Sequence, residues 1–475
     1  MSLFANLSST ANTLRAFQQA LTVTQNNVAN ASTPGYASQR QTLSAEPFDP
    51  STGLVGGVTA GEVQSSRDQF AESYVRNSNS QWGASDQKTQ SLSYLQTNFD
   101  ISGTSGIVGA LTSLYNGFSN WSVTPNDATA RQNVIANAQS TADAFRQTAA
   151  NVAAFSRNTD AEIGSTVDQA NALVDKLRQL NVTIKNGAAN DPSVDASVNS
   201  TLESLSEMMN VTALRQSDGS VDVYLNGQTV LLAGASQYPL SVRTSIPASP
   251  TPVYPSGTPQ SDIVNANGQP VTDQVTGGRL AGLLDVRNRV LPSIQGDAYQ
   301  EGSLNKLAAS FADRVNQLLT GGVVSDGPSP QPGQPLFSYD AANAAATLEV
   351  NPSLDASQLA AIDPGPPTRS NGVALDLAAL SNPAGAEGRV DGQSYAAFYG
   401  SIAASVGSEL SNAQTSQAAD SNVLSQARAL REQSSGVSLD DEAVHVLEFQ
   451  RSYQAAAKMM GVVDELTQTV IGLIR

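Results

Sequence analysis

The first 39 residues carry a single charge, Arg15, and their large apolar side chains recur every seven positions. On a background of Ser, Thr, Asn and Gln, this repeat predicts a helix with an apolar seam that another helix must cover. The helix is predicted to end at the breaker sequence in 32–35 (STPG). The predicted N-terminal seam consists of Leu3, Leu7, Leu14, Phe17, Leu21 and Val28.

The C-terminal segment repeats this design. Ser438 and the acids at 440–442 suit the start of a helix, because hydroxyls cap it and acids favour its dipole. A helix from 439 to 475 would be roughly 55 Å long at about 1.5 Å per residue. We therefore predict that the two ends pair and assemble with neighbouring copies. The predicted C-terminal seam consists of Phe449, Ala456, Met459, Val463, Leu466, Val470 and Leu473.

The composition excludes several classes of partner. Charged residues make up 14% of the 475-residue chain, against roughly 25% in average domains, and the formal net charge is −17. Nucleic-acid binding needs a basic surface, and no stretch supplies one. No apolar run has the length that spans a bilayer, so no membrane insertion is expected. The start of the chain does not resemble a cleaved signal peptide, which predicts a cytoplasmic protein or export by another route.

No catalytic, cofactor-binding or metal-binding site is predicted. The absence of cysteine rules out thiolate zinc sites and thiol nucleophiles. The single histidine, His445, would have to serve any Ser-His-Asp triad, and it is better explained as a polar residue of the C-terminal helix. The acids at 440–442 are likewise better explained as a helix start than as a cation site. Nucleophile-elbow, phosphate-loop and zinc-protease motifs are missing.

The pattern between the ends predicts a mainly α protein with a β-rich inserted domain. Apolar spacing indicates long helices over 85–186, 280–319 and 395–430. Residues 211–242 alternate as strands do, with a hairpin turn at Asn226-Gly227, and short strands are predicted near 336–350. Residues 363–393 are predicted to be rich in loops. The predicted nested domains are 1–40 with 436–475 (a coiled-coil-like base of terminal helices), 41–189 with 278–435 (a long-helix bundle) and 190–277 (a β-rich outer domain).

Two motifs carry a resemblance to a known family. The run at 26–36 (NNVANASTPGY) and the run at 449–458 (FQRSYQAAAK) resemble the paired terminal signatures of flagellar rod, hook and hook-associated proteins. Segments between the ends narrow the resemblance, because they are similar, in order, to the hook-associated protein 1 family. These segments are 57–63 (GVTAGEV), 67–70 (RDQF), 125–134 (PNDATARQNV) and 278–285 (GRLAGLLD).

The resemblance implies a structural subunit that joins hook to filament, with terminal helices forming an inner tube around the export channel. Implied partners are its own copies in a helical or ring-like assembly, the hook protein, a second junction protein (hook-associated protein 3) and an export chaperone on the C-terminal helix. The implied location is the extracellular hook–filament junction, reached without a cleaved signal peptide, and no cofactor is implied. Alternatives left open are another axial protein of the hook or distal rod, a flagellum-associated enzyme, and an adhesin.

Overall fold

Helices predominate in the computed structural model, which describes residues 3–49, 54–246, 250–254, 257–325 and 327–473. This confirms the predicted fold class, mainly α with a small β-containing insertion and long terminal helices. The helices are α1 (Leu3–Asn30), α2 (Gln69–Gln96), α3 (Gly106–Val123), α4 (Ala128–Thr183), α5 (Pro192–Met208), α6 (Gly278–Asp285), α7 (Leu291–Gln295), α8 (Ser303–Gly321), α9 (Ala344–Thr347), α10 (Gly372–Ala378), α11 (Tyr395–Ser435) and α12 (Leu439–Leu473). The strands are β1 (Gln39–Ala45), β2 (Phe48–Asp49), β3 (Leu54–Val55), β4 (Val58–Ser65), β5 (Val211–Arg215), β6 (Val221–Leu225), β7 (Thr229–Ala233), β8 (Ser236–Gln237), β9 (Ser241–Ser245), β10 (Gln260–Val264), β11 (Phe337–Ser338) and β12 (Glu349–Val350).

The chain forms two compact units, each built from separate stretches of sequence. The first unit holds both terminal helices, the strands of 39–65 and the sheet of 211–237. This division does not coincide with the three predicted domains, which remain a prediction about the organisation of the chain. The first unit comprises Met1–Gln81, Ala170–Tyr238 and Asp420–Arg475, and the second comprises Trp82–Gln169 and Pro239–Ala419.

The sheet of the first unit follows from its sequence pattern. Strands β5, β6, β7 and β8 pair in that order, all antiparallel. Asn226 and Gly227 both have positive φ (49° and 70°), as the predicted two-residue hairpin turn requires. Asn181 of α4 holds the sheet by donating to the carbonyl oxygens of Val221 and Gly234, each at 2.7 Å. A buried amide thus replaces the strand partner that these carbonyls lack.

One pair of strands in the first unit was not predicted. Strand β1 pairs antiparallel with β4, with an irregularity in the register between Gln41 and Leu43, and the short strands β2 and β3 extend this hairpin. The segment is mainly polar, so it lacks the alternation by which a half-buried strand is recognised. It is held by α1: the Val58 N–H donates to the Thr13 hydroxyl at 3.1 Å, and the Ser9 hydroxyl donates to the Gly56 carbonyl.

The second unit is built around a core of aromatic and aliphatic side chains from α3, α4, α8 and α11. Phe311 of α8 lies at its centre, fully buried, with four aromatic rings within 6.5 Å of its own ring centroid. The strands β11 and β12 pair as predicted. Residues 363–393 include α10, whose Val373, Ala374 and Leu377 are buried, so this segment is less loop-rich than predicted.

The long helix predicted over 280–319 is interrupted. Helix α6 passes through a π-helical turn at Val286–Val290 into α7, and residues 296–302 then connect α7 to α8 without helical structure. Gly296 and Gly302 have φ of 85° and 80°, and a Cβ on Gly302 would lie 2.1 Å from the Gly296 nitrogen. Only glycine allows this close approach, so the correction has a local steric cause that apolar spacing does not reveal.

A group of four charged residues in the second unit gives a prediction about acid stability. Glu409 is bonded to Arg289 at 2.8 Å and to Lys88 at 3.2 Å, and Asp285 completes the group. The hydrogen bond from Arg289 lowers the pKa of Glu409 to about 2. An acid whose folded pKa is depressed stabilises the fold above its unfolded pKa of about 4.3, and this contribution is lost as the pH falls to about 2.

We therefore expect Glu409→Gln to be less stable than the wild type at pH 7 by roughly 1 kcal/mol, allowing for solvent screening of the half-exposed Arg289. The difference should shrink between about pH 4.3 and pH 2 and vanish below it, as followed by urea unfolding. Glu349→Gln serves as the control, because Glu349 is an exposed residue of the same unit and a glutamine can still accept its hydrogen bond from the Ser338 hydroxyl. A difference for Glu409→Gln that stays constant down to pH 2 would contradict the assignment.

Candidate assembly surface

The terminal helices pack along each other in the first unit. Asn27, near the end of α1, donates to the Glu442 carboxylate near the start of α12 at 2.9 Å, so the two helices run antiparallel. The Ser438 hydroxyl accepts a hydrogen bond from the Asp441 N–H at 3.3 Å, as predicted for the start of α12. The two ends of the chain therefore pair in the structure, as predicted.

Helix α1 uses two neighbouring faces. Ala16, Ala20, Thr24 and Asn27 are buried, on the face whose Ser9 and Thr13 contact the hairpin. At about 100° per residue, the predicted heptad seam lies roughly a quarter to a half turn from that face. Leu7, Leu14, Phe17 and Leu21 are half-buried there and Val28 is exposed, while the side chain of Leu3 lies outside the described residues.

The residues of the predicted C-terminal seam lie on two sides of helix α12. Phe449 and Val463 are half-buried and Ala456 is buried, on the same side as Glu442, which contacts α1; Val470 follows them and is 40% exposed. Met459 and Leu466 point away and are more than half exposed, and the side chain of Leu473 lies outside the described residues. Three further residues extend the exposed side, which we call the outer stripe. It consists of Val444, Leu447, Met459, Val462 and Leu466, each more than half exposed.

A buried amide explains the motif that ends α1. Asn27 is 1% exposed, and its amide nitrogen donates to the Gln39 carbonyl at 2.8 Å and to Glu442. Its oxygen accepts from the Tyr36 hydroxyl and the Gln39 N–H, both at 2.9 Å. Burial and the nearby Glu442 carboxylate raise the pKa of Tyr36 to about 12, so its hydroxyl stays protonated and able to donate. All four hydrogen-bonding positions of the amide are used.

The turn after this motif requires glycine. Gly35 has φ of 75°, and a Cβ there would lie 2.5 Å from the Ala196 carbonyl oxygen of α5. A left-handed conformation and a close backbone contact coincide at this residue. The turn therefore positions α1 against the rest of the first unit, and the Pro34-Gly35 breaker has a tertiary role as well as a local one.

The single histidine of the chain lies on α12. His445 lies against the Phe449 ring, with ring centroids 6.0 Å apart. Among the described residues no group of three or more His, Cys, Asp or Glu side chains could hold a metal ion. In the same part of the chain, no helix has both the length and the apolarity to cross a membrane.

Sequence reasoning missed the role of Glu442. The acids at 440–442 were interpreted only as a favourable helix start, and Asp440 and Asp441 are indeed exposed. Glu442 is instead buried against Asn27 of α1. Spacing within one helix cannot show this, because the partner lies 415 residues away in the chain. At the level of sequence, the motif containing Asn27 shows only a family resemblance.

Comparisons with known proteins find matches for the helical part of the chain and for both of its ends. A family profile described as "Flagellar hook-associated protein FlgK helical domain" matches residues 92–337, more than half of the chain. The chain belongs to the flagellar hook-associated protein FlgK family. The ends match two further profiles, "Flagella basal body rod protein" over 7–36 and "Flagellar basal body rod FlgEFG protein C-terminal" over 431–473.

Relatives named flagellar hook-associated protein 1 match this chain over most of its length. Flagellar hook-associated protein 1 of Bacillus subtilis (strain 168) is 26% identical over 515 aligned positions, covering 99% of this chain and 98% of the relative. The Salmonella typhimurium protein of the same name is also 26% identical, over 68% of this chain and 58% of its own length. A solved structure, the flagellar hook junction protein FlgK from Burkholderia pseudomallei, shares the fold, with a TM-score of 0.63 at 16% identity over 76% of this chain and 99% of that one.

Proposed function

We propose that this chain is a structural subunit of the hook–filament junction of the bacterial flagellum, assembled through its terminal helices around the export channel. Membership of the FlgK family supports a structural role in the flagellum. The observation that carries the mechanism is the outer stripe of α12. A helix that is apolar on two sides and covered on one needs a second partner, and exposed apolar stripes of this kind mark interaction sites.

The partner proposed for the outer stripe is a second copy of this chain. A large apolar side chain contributes about 1.5–3 kcal/mol on going from fully exposed to fully buried, so covering the exposed half of five such side chains favours association against its entropic cost. The seam residues are proposed to make two kinds of contact. Within one subunit, one side of α12 packs against α1; the residues concerned are Phe449, Ala456, Val463 and Val470 of α12 and Leu7, Leu14, Phe17 and Leu21 of α1. Met459 and Leu466, with Leu3, Val28 and Leu473 near the helix ends, are proposed to contact neighbours.

The remaining predicted properties are proposals that follow from family membership. We propose that the hook protein lies on one side of the assembly and hook-associated protein 3 on the other, and that an export chaperone covers α12 before secretion. The site of action would be extracellular, and the role mechanical rather than enzymatic. We also propose the division into a terminal core (1–40 with 436–475), a long-helix domain (41–189 with 278–435) and an outer β domain (190–277) for the assembled protein.

The test places one charge on the outer stripe. Leu466→Glu should raise the concentration needed for polymerisation at least about tenfold, since about 1.4 kcal/mol corresponds to a factor of ten. It should also prevent filament growth in cells that carry it as their only copy. The measurements are sedimentation of purified protein and electron microscopy of hook tips.

A matched control separates the outer stripe from the helix. Gln450→Glu adds the same charge at an exposed position on the polar side of α12, with no acidic residue one helical turn away. It should polymerise like the wild type, and both variants should keep wild-type helix content as monomers. Normal polymerisation of Leu466→Glu would refute the proposed role of the outer stripe.

A further inference from the structure

The strongest unassigned feature is a buried carboxylate between two arginines in the first unit. Glu72 lies in the first turn of α2, and the side chains of Glu72 and Arg67 are each 4% exposed. One carboxylate oxygen of Glu72 contacts Arg67, and the other lies 3.6 Å from Arg431. The two arginines come from opposite ends of the sequence, and each belongs to a segment next to a terminal helix.

Arg67 fixes the segment that leaves α1. It follows β4 directly, and its guanidinium donates to the Gly35 carbonyl at 2.6 Å, in the turn that ends the α1 motif. The same guanidinium donates to Asp195 of α5 at 2.7 Å. One side chain therefore holds the α1 turn, the start of α2 and the start of α5 together.

Arg431 fixes the segment that enters α12. It lies in the last turns of α11, eight residues before α12 begins, and bonds Glu203 of α5 at 2.6 Å. Beyond it, the Ser435 hydroxyl accepts from the Asp68 N–H at 3.0 Å, and the Ser435 carbonyl accepts from the Ser38 N–H at 2.9 Å. A cleft of about 170 Å³ separates the α1 turn (31–36) from this linker (431–437), and Glu72 and Arg431 contribute to its lining.

We propose that Glu72, Arg67 and Arg431 form a clamp that sets the direction in which α1 leaves, and α12 enters, the body of the first unit. Buried ion pairs often contribute little net stability compared with apolar residues of similar size, whereas they can select one geometry. The ion network of Glu72, Arg67 and Arg431 contacts the two segments that connect the terminal helices to the body, and this location suits a positioning role. The cleft beside it leaves space for the two connections to move when the clamp is absent.

The experiment uses the full-length monomer and the lack of native cysteine. Nitroxide labels at Gln18→Cys on α1 and Ser204→Cys on α5 report the direction of α1, along which α12 packs, since both positions are exposed and Gln18 lies about 18 Å along α1 from its end. The wild type should give one narrow distance distribution by pulsed electron resonance. Labels at Asn77→Cys and Ser204→Cys, both outside the terminal helices, give the reference distance within the body.

Two variants distinguish positioning from stability. Glu72→Gln should broaden the Gln18–Ser204 distribution and leave the Asn77–Ser204 distance unchanged. The triple variant Arg67→Met, Glu72→Met and Arg431→Met should melt no lower than the wild type and still show the broad distribution. Its design leaves Asp195 paired with Arg215 at 2.6 Å and Glu203 paired with Arg428 at 3.0 Å, so no carboxylate of the network is orphaned. The buried Arg76 loses the attraction of Glu72 together with the repulsion of Arg67, and it keeps the attraction of Glu203.

Arg428→Gln is the matched control, because it removes an arginine of the same network that contacts neither connection to the terminal helices, and its distances should equal those of the wild type. A narrow, wild-type distribution in the triple variant would overturn the proposal, since apolar packing would then position the helices equally well. A triple variant that fails to fold would also overturn it, because the network would then be required for stability. Neither outcome depends on assembly, so the proposed function is tested separately.

Discussion

Phe311→Ala should lower the free energy of unfolding of the second unit by about 3–5 kcal/mol, the cost of removing a fully buried aromatic ring and leaving a cavity. The ring is in contact with Tyr115, Phe145, Phe337 and Tyr395, with centroids 5.3 to 6.5 Å away. These partners come from four separate segments, so the cavity cannot be closed by a small local shift. Both tryptophans of the chain lie in the second unit, and their fluorescence reports its urea unfolding.

The matched control is Phe70→Ala. The same side chain is removed, but Phe70 is 88% exposed and lies in the first unit, so the tryptophan-detected midpoint should not move. A loss of less than about 1 kcal/mol in Phe311→Ala would mean that the core of the second unit repacks around the missing ring, contrary to the tight packing expected of protein interiors.

Asn27→Asp should destabilise the pairing of α1 with α12 by at least about 2 kcal/mol. The substitution changes one buried NH2 donor into an acceptor that faces the Gln39 carbonyl and the Glu442 carboxylate. A buried acceptor left without a donor costs about 1–3 kcal/mol, and two acidic groups in contact add repulsion. Faster amide hydrogen exchange along α1 and the start of α12 would measure the loss.

A control substitution at the neighbouring Asn26 and a second substitution at Glu442 test this prediction. Asn26→Asp makes the same change at an exposed position and keeps the oxygen that accepts from Asn30 at 2.9 Å, so exchange along α1 should stay at the wild-type rate. Combining the Asn27→Asp change with Glu442→Gln supplies an amide donor opposite the new carboxylate and should recover part of the loss. Absence of any recovery would show that Glu442 is not the partner that matters.

Much of the fold could be predicted because it rests on local rules. The cap at Ser438 and the Asn226-Gly227 turn each depend on a few adjacent residues, and the β11–β12 pair joins strands close together in the sequence; all three are present in the structure. The β1–β4 hairpin and the break at 296–302 were missed for the opposite reason. Polar strands held by α1, and two glycines that touch across a loop, are contacts between residues that apolar periodicity does not describe.

The candidate assembly surface stays a prediction. Apolar spacing predicts which side chains form the seams, but a heptad repeat does not state which seam residues face which partner. The structure turns Phe449 and Val463 toward the α1 side and leaves Met459 and Leu466 uncovered. That Met459 and Leu466 meet a neighbouring copy remains a prediction, tested by Leu466→Glu.

The sequence by itself determined that the two ends are charge-poor amphipathic helices, because a period of apolar residues and a lack of charge are properties of neighbouring positions. It also carried the motifs by which the flagellar family was recognised. Only the tertiary structure decided that Asn27 contacts Glu442 between those ends, and that Glu72 lies between Arg67 and Arg431. The Asn27–Glu442 and Glu72–Arg431 contacts join residues hundreds of positions apart, and their strength depends on burial, which exists only once the chain has folded.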